Sequence, residues 1–135
     1  MSISDLWLNL SVKNIENSKA FFTAIGFELS EGPGNSATSA CILMGTKKVV
    51  VMLFQEEVFN GFINQKGTFS SPHPSLISIS VDSKEAVDSL AQKVINAGGA
   101  CSHEPKEMKD WIYACNFLDL DQHQWNVVYM KNDAV

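Results

Sequence analysis

The sequence lacks any apolar run approaching the roughly 20 residues that a membrane-crossing helix needs, so no membrane insertion is expected. It also lacks a basic N-terminal region followed by an apolar one, so secretion is not expected and a cytoplasmic location is. Positive charge is sparse: 10 Lys and Arg stand against 15 Asp and Glu, giving a net charge of -5 without a basic cluster. That balance argues against a nucleic-acid partner. Cysteine is scarce too. Cys41, Cys101 and Cys115 are odd in number and widely spaced, so they offer neither a disulfide framework nor a zinc knuckle and read as buried free thiols. The 135 residues, 45% of them apolar, suit one soluble domain with a sizeable core.

Leu6, Leu8, Leu10 and Val12 alternate with Trp7, Asn9 and Ser11, the period of a strand with one face on a core. Ile15, Phe21, Phe22 and Ile25 fall at helical spacing, with Asn14 as cap and Gly26 as stop. A short strand follows at 27–30. The segment GPGNSATS at 32–39 is a loop, and strands at 41–44 and 49–54 are joined by a turn at Gly45–Lys48. A short helix is expected near 56–62, inside a connector at 55–74.

The order then repeats. Ile77, Ile79 and Val81 alternate with serines, and Asp82-Ser83-Lys84-Glu85 resembles a capping box. Val87, Leu90, Ala91, Val94 and Ile95 make a helix face that Gly98-Gly99 ends. Cys101 starts a short strand, 103–109 reads as loop, and 111–118 with 125–130 form a closing hairpin. The expectation is an α+β fold of two βαβββ modules in one domain, module 1 at about 4–54 and module 2 at about 75–131.

The closing stretch NFLDLDQHQWNVVYM, Asn116–Met130, carries a resemblance. Its Asp119-x-Asp121-x-His123 turn resembles the D-x-D-G-H/N turn of the vicinal oxygen chelate superfamily, which includes glyoxalases, bleomycin-resistance proteins and extradiol dioxygenases. The segment SVKNIENSKAFFTAIGF is similar to the family's V-x-D-L-x-x-S-x-x-F-Y-x-x-L-G-F opening. Within the family the chain most resembles bacterial proteins labelled glyoxalase-like or predicted lactoylglutathione lyase. The resemblance implies curved sheets enclosing a cleft, commonly completed by a second copy of the chain, hence a homodimer. Two departures stand out: Gln122 where the family usually has Gly, and Asn126 where metal-binding members have a carboxylate.

Metal-dependent members carry ligands on the first and last strands of each module. Alignment puts those positions on Trp7, Met52, Leu76 and Asn126, and none is His, Glu or Asp. No metal and no cofactor is therefore expected. Strand parity would turn Trp7, Asn9, Met52 and Phe54 toward the cleft with Leu76, Ser78 and Asn126. Trp111 and Tyr113, at the start of the closing hairpin, would reach over it, Tyr113 as the one acid or hydrogen-bond donor with a claim on the site. Such a lining suits a small, partly apolar or aromatic molecule. Two alternatives stay open: a glyoxalase-like lyase or isomerase with an unusual metal site drawing on His73, His103, Glu104, Glu107 or His123, and a structural protein with an occluded cleft. Whether the chain is an enzyme is left undecided.

Overall fold

The computed structural model describes residues 1–63 and 75–131. The chain divides into two compact units, Met1–His73 and Pro74–Val135. Each carries a four-stranded sheet with a helix on one face, and both follow the order β-α-β-β-β.

In the first unit, β1 (Leu8–Val12), α1 (Ile15–Ala24), β2 (Glu28–Leu29), β3 (Ser39–Met44) and β4 (Val49–Gln55) are followed by α2 (Glu56–Ile63). The sheet order is β1-β4-β3-β2, with β1 parallel to β4 and the other pairs antiparallel. Asn14 caps α1 by accepting from the Asn17 N–H at 2.9 Å, which satisfies a donor the first turn would leave unpaired. Gly26, at φ 97, turns the chain out of the helix in a conformation that only glycine adopts without strain. Phe21, Phe22 and Ile25 then pack with Ala40, Ile42, Val51 and Leu53 in a core from which solvent is nearly absent. Gln55 ties the β1–α1 connection down: its Oε1 accepts from the Ile15 N–H and its Nε2 donates to the Lys13 carbonyl.

The alternation at Leu6–Val12 holds only in part. β1 begins at Leu8, and Leu6 and Leu8 are 72% and 39% exposed. The reason is where the helix lies: α1 packs on β2, β3 and β4, so only the Val12 end of the edge strand β1 is buried.

In the second unit, β5 (Leu76–Ser80), α3 (Lys84–Asn96), β6 (Ala100–Lys109), β7 (Ile112–Leu118) and β8 (Gln124–Met130) form a sheet of order β5-β8-β7-β6. Ser83 caps α3 by accepting from the Ala86 N–H at 3.0 Å. Val87, Leu90, Ala91 and Val94 are buried with Cys115, Phe117, Trp125 and Val127. Ile95, expected on that face, is 52% exposed at its flank. A second expectation is corrected at 103–109: these residues extend β6 to Lys109 instead of forming a loop. The register shift between His103 and Lys106, one of three along β6, absorbs Pro105, and an edge strand tolerates a proline because its outward side needs no ladder donor.

The β7–β8 turn is built on one carboxylate. Asp119, 2% exposed, accepts through Oδ1 from the Asp121 and His123 N–H groups at 2.9 and 3.0 Å, and through Oδ2 from the Trp125 indole at 3.1 Å. Burial pushes its carboxyl up from the usual range; the charge of His123 and these donors oppose that. Gln122 holds φ 69, so the left-handed turn that Gly usually supplies is kept, strained, by a residue with a Cβ. The indole ring of Trp125 lies parallel to Phe117 at 5.9 Å, which makes Trp125 core. No helix among the described residues is long and apolar enough to cross a membrane.

Candidate functional site

The faces turned away from the helices follow from register, because paired residues point to the same side of a sheet. In the first unit Asn9 pairs with Met52 and Met52 with Cys41, while Ser11 and Ser39 flank Phe54. Trp7 stands just before β1, 56% exposed, on a groove of about 570 Å³ that it shares with Leu6, Lys48, Val50 and Met52. Much of this face is covered by the unit's own chain. The 32–39 loop lies on it so closely that a Cβ on Gly34 would come within 3.0 Å of the Cys41 Cβ and 3.6 Å of the Met52 sulfur. Ser39 Oγ donates to the Gly34 carbonyl at 2.9 Å and fixes the loop there. Phe54 meets Phe62 of α2 edge to face, with ring centres 4.9 Å apart. Asn9 remains exposed.

In the second unit Ser78, Asn126, Asn116 and His103 are successive register partners across β5, β8, β7 and β6. The first three are hydrogen-bonded in a row: Ser78 Oγ donates to Asn126 Oδ1 at 3.1 Å, and Asn126 Nδ2 donates to Asn116 Oδ1 at 2.8 Å. Asn126 Nδ2 also lies 3.3 Å from the Cys115 carbonyl. Beside the row is a cavity of about 450 Å³ reached by His103, Lys106, Ile112, Ala114 and Val128.

Sequence reasoning found Ser78 and Asn126 in this row and missed Asn116 and the alignment of His103. The signal was present. Counting outward from the Asp119–His123 bridge pairs 118 with 124, 117 with 125 and 116 with 126, so the two asparagines are opposite partners. Leu76 is 53% exposed on β5.

Tyr113 and Trp111 are placed elsewhere. Tyr113 points to the helix side, where its hydroxyl donates to Asp88 Oδ1 at 2.6 Å; that bond, with a little burial, pushes the phenol up to about 12. Lys84 of α3 stands 5.5 Å above the Tyr113 ring and pairs with Glu107 of β6, so this group fastens the helix to the sheet. Trp111 is half-buried in the β6–β7 turn with the Lys109 ammonium 5.8 Å over its ring.

The four positions that align with metal ligands do not suit a divalent cation. Trp7 and Leu76 offer no donor atom, Met52 offers a thioether, and the carbonyl oxygen of Asn126 already accepts from Ser78. Among the described residues no three His, Cys, Asp or Glu side chains gather as ligands. Glu107 is committed to Lys84, and His73 lies outside the described residues.

Comparison with known proteins agrees with this architecture. No curated protein matches the chain. Among solved structures, a hypothetical protein from S. aureus is 32% identical with a TM-score of 0.80, covering 96% of this chain and 95% of its own. A glyoxalase/bleomycin resistance protein/dioxygenase family enzyme from Burkholderia phytofirmans PsJN is 24% identical with a TM-score of 0.79, covering 94% and 99%. The fosfomycin resistance protein FosX of Mesorhizobium loti shares the fold at 14% identity and a TM-score of 0.66, covering 96% and 93%. The family model described as Glyoxalase/Bleomycin resistance protein/Dioxygenase superfamily matches residues 6–127, nearly the whole chain, and the protein belongs to that superfamily.

Proposed function

We propose that the protein binds a small, partly apolar organic molecule without a metal, as a homodimer in the cytoplasm, and serves sequestration, resistance or sensing. The observation that carries this reading is the state of Asn126. Its carbonyl oxygen, the one atom in the aligned set suited to a hard cation, is a neutral amide acceptor already engaged by the Ser78 hydroxyl, and no carboxylate or imidazole stands in that set to help it hold an ion. Two surfaces serve binding in this reading. On the first unit Trp7, Asn9 and Met52 offer an aromatic and thioether surface with one amide, and Phe54 supports it beneath Phe62. On the second unit Ser78 and Asn126 give direction, with Leu76 beside them on β5. Trp111 and Tyr113 act indirectly, by holding the β6–β7 end of that sheet in place.

The test is elemental mass spectrometry on protein purified without a tag or chelator, with metal referred to chain concentration. Metal far below one per chain is expected. Near-stoichiometric nickel, zinc, iron or manganese would overturn the metal-free reading.

A second reading, a lyase or isomerase, is favoured by one observation: His103 aligns with the amide row and reaches the same cavity, which brings an imidazole to bound material. It predicts turnover of a hemithioacetal substrate that His103→Ala abolishes.

A further inference from the structure

The amide row has a polarity that the backbone sets. A peptide carbonyl only accepts hydrogen bonds, so the atom of Asn126 that lies 3.3 Å from the Cys115 oxygen must be its NH2 group. With that end fixed, Asn126 Oδ1 faces β5 and takes the Ser78 hydroxyl, while the same NH2 meets Asn116 at 2.8 Å. Two NH2 groups would repel there, so Asn116 presents its oxygen inward and its own NH2 outward, toward β6. That outward NH2 has no acceptor among the described residues, and it is not sealed from solvent. The row therefore ends in a donor. The flanking side chains at the cavity are His103 and Lys106, which add N–H donors, and Glu104, a single carboxylate.

We propose that this cavity selects small molecules bearing an oxygen acceptor, a carboxylate or a ketone, which docks on the Asn116 NH2 while an apolar body lies on Ile112, Ala114 and Val128. The proposal deepens the small-molecule reading and rests on it. A molecule that offers only donors gives the Asn116 NH2 no acceptor and leaves it unpaired, a loss worth about tenfold in affinity relative to a molecule that supplies one.

Three probes of one shape separate the possibilities: 2-naphthoate, 2-acetonaphthone and 2-naphthylmethylammonium, titrated into full-length protein and followed by the side-chain NH2 resonances of Asn116 and Asn126. The carboxylate and the ketone are expected to bind about tenfold tighter than the ammonium and to move the Asn116 resonance most. A carboxylate that binds far more tightly than the ketone would assign the natural ligand to the acids; equal binding would assign it to either. Asn116→Asp, which exchanges the donor for an acceptor of the same shape, should weaken both oxygen probes by about tenfold or more. Asn116→Leu removes the donor without adding charge and supplies the same comparison if the Asp variant does not fold. Equal binding of all three probes, or binding indifferent to both variants, would overturn acceptor selection and leave small-molecule binding standing. Failure of every probe to bind the unaltered protein would overturn both.

Discussion

The two units have the same strand order, and α1 and α3 cover the equivalent side of each sheet, yet the units treat the other side differently. In the first, a loop fixed by Ser39 lies over Cys41 and Met52, and Phe62 lies against Phe54. In the second, the corresponding side carries a row of hydrogen-bonded amides beside a cavity of about 450 Å³. The difference lies in the connections and in a few residues. The β2–β3 connection of the first unit is long and rich in small residues, so it can fold back; its counterpart in the second unit, between β6 and β7, is a tight turn at Asp110 and Trp111. Topology places a face, and side chains and loop lengths decide whether it is filled or presented.

That contrast depends first on the register of the β7–β8 hairpin, and the largest effect should come from its turn. Asp119→Ala leaves two backbone N–H groups and the Trp125 indole without their acceptor in a buried site. A loss of about 3 kcal/mol or more in unfolding free energy is expected from urea denaturation, given about 1–3 kcal/mol per orphaned buried donor. A loss below about 1 kcal/mol would show that the turn does not set the register.

The first unit offers the complementary test. Gly34→Ala forces a methyl group within 3.0 Å of the Cys41 Cβ, so the loop must lift or the sheet must shift. Destabilisation of about 1–2 kcal/mol is expected, together with faster labelling of Cys41 by a thiol reagent as its cover loosens. Unchanged labelling would mean that the loop does not shield that face.

The smallest effect concerns how the second sheet holds its helix. The Tyr113 phenol is pushed up to about 12 from its ordinary 10 by its bond to Asp88, so the folded state keeps a proton that the unfolded chain releases. The stability from this bond is fully present below about pH 10 and is lost as pH rises toward 12. Tyrosinate absorbance should show one late-titrating phenol that Tyr113→Phe removes. Two phenols titrating together near 10 would deny the bond a role in solution.

Much of this arrangement was legible in the sequence, because alternation, helical spacing and capping residues report local geometry. Asn14, Gly26, Ser83 and the Asp119 turn do what their chemistry suggests. Tertiary placement was not legible. Leu6 and Leu8 have the pattern of a buried strand face, but nothing in the local sequence says that α1 stops short of β1. Residues 103–109 read as loop because Pro105 interrupts the pattern, and an edge strand with bulges accommodates a proline that a central strand would reject. Tyr113 looked free to act because its partner, Asp88, lies 25 residues away on a helix. Asn116 was overlooked because its meaning comes only from the residue opposite.

The irregular course of β6 also bears on how copies of the chain can meet. A regular edge strand is an open invitation to another strand, and ribbons of stacked chains grow from such edges. β6 interrupts its own ladder at three points, carries a proline that cannot donate, and bears His103, Glu104, Lys106, Glu107 and Lys109 along its length. Charge and broken spacing deny an incoming strand a continuous set of partners, so this margin of the second sheet is guarded against fibre-like growth at high concentration.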